Sequence, residues 1–243
     1  MAPKIPKNPY MIPLIILLIS IAILVYMREP FARMYYMTVA TKSHPVLEKI
    51  QEKMYLEGQI LHVRDLQENG NKLEEIYTFL QQEQLNDKDI VLFTEAQDVA
   101  LIRPQKEIMK RYKEFHTPIV FGAEKISQRA SEYKSQDGYF PYLNSGVFIG
   151  RVWALRTCME NYTHGDPQQF WTEKYFQYPD LITLDTNAKL FLSCNGIDKK
   201  LMEYDRFNQK LVYSETGTQP MVVHANCADK SYLHVVMDRW QEP

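Results

Sequence analysis

An α/β domain with a mostly parallel central sheet is the fold class this sequence predicts. Three observations carry the prediction. Short apolar runs alternate with amphipathic stretches along most of the chain, and no repeat or low-complexity tract breaks the alternation. The chain has 243 residues, 45% of them hydrophobic, enough to bury one core of ordinary size. Strands that alternate with helices favour parallel pairing, because each crossover helix covers a face of the sheet.

The first element is an apolar run at 11–27, MIPLIILLISIAILVYM, which contains no charged residue and is bracketed by Tyr10 and Tyr26. At about 1.5 Å per residue it just reaches the length needed to span a bilayer. It predicts one transmembrane helix, with 1–10 as a short tail, 28–34 as a stem and 35–243 as the folded domain. No small-x-small cleavage site follows, since Arg28-Glu29-Pro30-Phe31 comes next, so an uncleaved anchor is expected rather than a signal peptide. Lys4 and Lys7 are balanced by Arg28 and Arg33, and charge alone does not orient the segment. A short tail before a large domain predicts a type II protein with its domain in the ER/Golgi lumen. The sequon Asn161-Tyr162-Thr163 is compatible with that compartment.

Within the domain, 36–40 reads as a buried strand, 45–55 as a helix and 59–63 as a second strand. Leu73, Ile76, Tyr77 and Leu80 recur at helical spacing. A third strand at 90–93 follows the turn formers Asn86 and Asp87. Pro104 opens a helix over 105–115, and 119–122 is a further strand. Helices at 153–162 and 168–176 and strands at 181–184, 211–213 and 221–224 complete the alternation. In sheets of this kind ligands gather at the carboxyl ends of the strands.

The formal charge of -2 and pI near 6.3 give no basic excess, so no nucleic-acid partner is expected. Cys158, Cys194 and Cys227 lack CxxC spacing, which argues against a zinc knuckle. One disulfide would be possible in an oxidising compartment, and the sequence leaves its pairing open.

The candidate chemistry sits at two strand ends. Glu95 and Asp98, three positions apart, directly follow the strand at 90–93, and carboxylates so placed can converge on Mg²⁺ or Mn²⁺. A solvated acidic turn would have the same spacing. His224 closes the apolar run at 221–223 and can reach the same edge of the sheet. Lys72 and Lys230 could offset the charge of a diphosphate. Asn144-Ser145-Gly146 interrupts what would otherwise be a buried strand, either as a β-bulge or where a ligand meets the backbone closely.

Taken in order, these segments resemble the glycosyltransferase domain of the procollagen lysyl hydroxylase/glycosyltransferase family, from about residue 36 to 240. Thr38-Val39-Ala40-Thr41-Lys42 resembles its first strand and uridine-binding turn. The run from Val91 to Val99 resembles its acidic metal motif, Leu143 to Gly150 its LNSGGFIG segment, and Asp166 to Thr172 its DDDQLFYT segment. Phe191 to Gly196 is similar to FQxLNG, and Pro220 to Asn226 to PIVVHGN. The resemblance implies a GT-A-like nucleotide-sugar-binding fold using Mn²⁺, or another divalent cation, and a UDP-sugar. By position Glu95, Asp98 and His224 would hold the metal. Val39 and Thr41 would lie against uridine, with Gln97 where an aromatic ring would stack on uracil. Lys72 and Lys230 would meet the diphosphate, and Asp166, Asn144, Gln168 and Asn195 the sugar or acceptor. The implied reaction moves glucose or galactose from a UDP-hexose to a protein or glycan acceptor, hydroxylysine-linked on collagen in that family. Departures bear on the sugar and acceptor: Glu95 stands for the commoner Asp, Pro167 interrupts the acidic run, Cys227 replaces a glycine, and 125–135 has no tryptophan. They also leave open a non-catalytic descendant that binds glycans or proteins. An iron- and 2-oxoglutarate-dependent hydroxylase domain has no room in this chain, and hydroxylation is not expected of it.

Overall fold

A computed structural model describes residues 32–40, 48, 50, 61–65, 72–133, 137–160, 162, 165–205, 207–208 and 210–237. The predicted anchor at 11–27, Thr41, most of the helix predicted at 45–55, and Asn161 and Thr163 of the sequon lie outside these residues. Among the described residues no helix is long and apolar enough to cross a membrane.

The main sheet contains β1 (Met34–Ala40), β2 (Leu61–Asp65), β3 (Ile90–Glu95), β5 (Ile119–Glu124), β6 (Tyr142–Arg151) and β7 (Ile182–Leu184), in the order β2-β1-β3-β6-β5-β7. β4 (Val99–Leu101) belongs to a second sheet. In the main sheet β1 pairs parallel with both β2 and β3, and β5 pairs parallel with β7, while β6 runs antiparallel to β3 and β5. The predicted mostly parallel sheet is therefore present with one reversed strand. β3 and β5 are buried almost throughout, which is why they read as unbroken apolar runs rather than alternating ones.

The second sheet has the order β4-β11-β8, with β8 spanning Phe191–Ser193 and β11 Val222–His224. A hairpin of β9 (Met202–Asp205) and β10 (Lys210–Tyr213) stands apart from both. Sequence reading did not find β4, β8 or β9, although β7, β10 and β11, equally short, were placed by their apolar runs.

Helices cover the sheet. α1 (Lys72–Leu80) buries Leu73, Ile76, Phe79 and Leu80, and the outward Tyr77 packs its ring near Tyr162 instead. α2 (Gln105–Lys113) starts after Pro104, buries Ile108 and Tyr112, and carries three of its basic residues in the last turn, where they complement the helix dipole. α3 (Val152–Cys158) stops short of the predicted end at 162. α4 (Pro167–Gln177) has Asp166 as its N-cap and Pro167 inside its first turn. That pair is a favoured helix start, so Pro167 breaks the acidic run for a structural reason. α5 (His234–Met237) is short. Phe93, Phe121, Phe148 and Trp171 form a chain of ring contacts with centroids 4.9–5.4 Å apart, tying α4 to the centre of the sheet. All three cysteines are free.

Candidate metal centre

The two sheets meet at residues 95–99. β3 ends at Glu95, a three-residue turn follows, and β4 begins at Val99. Val99 is the register partner of His224, and Ser193 is its partner on the other side. Ala225 N donates to Asp98 O at 2.8 Å. Strand pairing alone therefore sets His224 beside the acidic turn, although the two are far apart in sequence.

A bulge completes the geometry. β6 pairs with β3 as far as Val147, but against β5 the register jumps from Phe121↔Phe148 to Gly122↔Asn144. Ser145, Gly146 and Val147 are the extra residues. Ser145 N donates to Gln168 Oε1 at 2.9 Å, Gln168 Nε2 donates to Leu143 O at 2.6 Å, and Gly146 N donates to Asn144 Oδ1 at 3.0 Å. Side chains thus take the place of a missing strand partner, as a buried backbone requires. Gly146 then lies directly under the imidazole. A Cβ there would stand 3.0 Å from His224 Nε2 and 3.1 Å from Glu95 Oε2, and closer still to Cε1.

His224 Nε2 lies 3.2 Å from Glu95 Oε2 and 3.4 Å from Asp98 Oδ1. The three groups offer ligand atoms that all fall within 4.8 Å of one another. Ligands at right angles on an octahedral ion stand about 3 Å apart when each bond is about 2.1 Å, and the two distances from His224 are close to that spacing. Asp98 Oδ1 is buried, with His224 Nε2 at 3.4 Å as its polar neighbour; beside a neutral imidazole that keeps its lone pair toward the acids, a cation would satisfy that oxygen. Oxygen donors with one imidazole suit Mn²⁺-like ions.

Lys72 forms an ion pair with Glu95, and Lys230 Nζ lies 3.0 Å from Asp98 Oδ2 and 2.6 Å from Ala225 O. Burial pushes the Glu95 carboxyl up, but His224 and Lys72 outweigh it and hold that group well below the usual carboxylate range. Asp98 is also lowered: burial and the Glu95 charge oppose, and His224 and Lys230 prevail. Burial would lower His224, yet its hydrogen bonds and charge attraction to Asp98 and Glu95 raise it to about 9. In the metal-free molecule the imidazole is therefore cationic at neutral pH, and it must give up a proton to become a ligand.

The fold brings together Glu95, Asp98, His224, Lys72, Lys230 and Asn144. Val39 is the register partner of Glu95 at the end of β1, and Gln97 is exposed within the acidic turn. Gln168 is engaged with the backbone of β6, and Asp166 Oδ1 caps α4 through Gln169 N at 2.8 Å. Asn195 is half-buried, its N–H donating to Asn226 Oδ1 at 2.9 Å. Asn144 is buried, and its amide meets His224, Gly146 and Glu124. Sequence reasoning missed Glu124 and Asn226. Burial raises Glu124 above the usual carboxylate range although amides of Asn144 and Asn226 oppose the shift. A signal was present. β3 (IVLFTE) and β5 (IVFGAE) both close a six-residue apolar run with glutamate, at the same end of the sheet.

A family model described as "PLOD GT domain" matches residues 33–240. Human "Multifunctional procollagen lysine hydroxylase and glycosyltransferase LH3" is 27% identical over 158 residues, covering 60% of this chain and 21% of that protein. Chicken "Procollagen-lysine,2-oxoglutarate 5-dioxygenase 1" is 25% identical over 179 residues, 68% of this chain and 24% of that protein. The Drosophila melanogaster "Procollagen-lysine,2-oxoglutarate 5-dioxygenase" is 30% identical over 160 residues, 60% of this chain and 22% of the relative. The matched region thus spans less than a quarter of each of these curated relatives.

Proposed function

The chain belongs to the PLOD GT domain family, and from that premise we propose that it transfers a hexose, glucose or galactose, from a UDP-sugar to a hydroxyl acceptor. The convergence of Glu95, Asp98 and His224 from separate segments, with a lysine on each carboxylate, is the observation that supports this most directly. A divalent cation held by those three residues would supply charge to stabilise departing UDP. Lys72 and Lys230 leave their carboxylates for the diphosphate and add to that stabilisation. Val39 lies against uridine and the exposed Gln97 borders the base; the family resemblance adds Thr41 to that contact. Asp166, through the oxygen not used in capping, and Asn195 face the sugar or the acceptor. Gln168 supports them by fixing the bulge. Positioning and electrostatics carry most of the catalysis.

The names of the relatives motivate a collagen-like acceptor bearing hydroxylysine-linked positions. The apolar run at 11–27 motivates a single-pass type II membrane protein with the domain in the ER/Golgi lumen.

The test is UDP release from UDP-glucose and UDP-galactose with and without Mn²⁺, for the unaltered chain and Asp98→Ala. Turnover should require Mn²⁺ and vanish in Asp98→Ala, while the near-UV circular dichroism spectrum is retained. No turnover with any UDP-hexose, and no thermal shift with UDP and Mn²⁺ together, would instead identify a non-catalytic descendant that binds glycans or proteins.

A further inference from the structure

An imidazole has two ring nitrogens, and the proton on one decides whether the other has a lone pair to give. Nε2 of His224 faces Glu95 and Asp98. Nδ1 lies 3.1 Å from Oδ1 of Asn144, in a buried contact. The orientation of that amide is fixed by Gly146, whose backbone N–H can only donate and lies 3.0 Å from the same oxygen. An oxygen has nothing to donate, so Nδ1 must carry the proton, and in the neutral ring Nε2 keeps its lone pair.

The far end of the amide is held as firmly. Asn144 Nδ2 donates to Glu124 Oε2 at 3.0 Å, and Asn226 Nδ2 donates to the same oxygen at 2.7 Å. Asn226 Oδ1 in turn accepts from Asn195 N at 2.9 Å. Asn144 and Glu124 belong to the main sheet and Asn226 follows β11 of the second, so the carboxylate clamps the two sheets on either side of the ring. Asn144 is 6% exposed and Glu124 9%.

We infer that Asn144 is a positioning residue for the cation: its Oδ1 holds His224 in the tautomer whose Nε2 binds the ion, and Glu124 with Asn226 hold Asn144. The inference rests on the metal reading above. Losing such an outer partner typically costs 10- to 100-fold in metal affinity.

The test is calorimetric titration of the full chain with Mn²⁺, comparing the unaltered sequence, Asn144→Ala and Asn144→Asp, each with a thermal melt. Asn144→Ala should bind about 10- to 100-fold more weakly. Asn144→Asp keeps an acceptor oxygen for both Gly146 N–H and Nδ1–H, with one proton shared between it and Glu124, and should recover most of the affinity. Independently, the ring-nitrogen NMR spectrum of isotope-labelled histidine in the unaltered chain, loaded with diamagnetic Zn²⁺, should show Nε2 on the metal and Nδ1 protonated. That spectrum decides the matter if Asn144→Ala does not fold. Full affinity in Asn144→Ala, or Nδ1 on the metal, overturns the role of Asn144 and leaves the metal reading standing. An unaltered chain that binds neither ion overturns both.

Discussion

Gly146 shows how much of the site depends on an atom that is missing from the side chain. A Cβ at that position would overlap the buried His224 ring and stand 3.1 Å from Glu95 Oε2. Gly146→Ala should therefore separate the imidazole from the acids and weaken Mn²⁺ binding at least about tenfold, as loss of ligand orientation does elsewhere; calorimetry would show it. The charge state of the ring makes a second prediction. The pKa of His224 is raised from 6.5 to about 9, so the stability it contributes is complete below pH 6.5 and is lost as pH climbs through 9. Glu95 and Asp98 are depressed, so their contribution is present above the ordinary carboxylate range and is lost as pH falls below it. The metal-free chain should melt highest between about pH 4.5 and 6.5 and progressively lower toward 9. Metal binding runs the other way, because a bound imidazole is neutral: affinity should rise about tenfold per pH unit until the ring's own pKa is reached, with one proton released. Flat affinity across that range would show that His224 is not a ligand. At this scale the three candidate ligands were legible because acids and a histidine closing apolar runs are conspicuous. Glu124 was not, since a charged residue at a strand end usually reads as solvated, and only the fold shows it buried between two amides.

The bulge in β6 is the element on which the centre is built, and α4 holds it in place. Gln168 satisfies Ser145 N and Leu143 O together, so Gln168→Ala leaves two part-buried backbone groups without that partner. A loss of about 2 kcal/mol is expected in urea unfolding. The first turn of the same helix separates two jobs for Asp166. As a cap it accepts from Gln169 N, a task asparagine performs equally well. Asp166→Asn should unfold within about 0.5 kcal/mol of the unaltered chain, whereas Asp166→Ala should cost about 1 kcal/mol. If the carboxylate also faces the sugar, Asp166→Asn loses turnover despite its intact stability; unchanged turnover would confine Asp166 to capping. Elements of this length were readable in advance. β3, β5, α2 and α4 are apolar or amphipathic over enough residues to be read, and Pro104 marks a helix start; Asp166-Pro167 reads in the sequence only as a broken acidic run, and the structure shows it as the cap of α4. The three-residue strands β4 and β8 were not read, yet β8 and β4 flank β11 and so fix where His224 sits. Asn144-Ser145-Gly146 left a bulge and a ligand approach as competing readings. The structure has the bulge, and what comes close to its backbone is the protein's own imidazole.

For the molecule as a whole, the parallel direction of β1, β3 and β5 collects Val39, Glu95 and Glu124 at one end of the main sheet, and the second sheet adds His224 to that end. Strand order follows from which apolar runs pair, and no periodicity within a single run reveals it; this is why the alternation of elements was legible and the reversed β6 was not. The assembled centre holds two carboxylates against two lysines and an imidazole that is cationic at neutral pH. In that state each carboxylate already has a partner, and a divalent cation arriving alone must displace ammonium groups and a proton into a site that becomes strongly positive. A diphosphate arriving alone finds its lysines engaged with acids. On the proposed reading, the cation would take the carboxylates and the imidazole while the diphosphate would take the lysines, so that each would relieve the charge that opposes the other. The thermal shift from Mn²⁺ and UDP combined should therefore exceed the sum of the two separate shifts, with a coupling of about 1–3 kcal/mol, or roughly 5- to 150-fold in affinity. Replacing Lys230 by methionine frees Asp98 from its ammonium partner. It should strengthen binding of Mn²⁺ alone, weaken binding of UDP in the presence of Mn²⁺, and reduce the coupling; additive shifts in the unaltered chain would show that the lysines do not exchange partners.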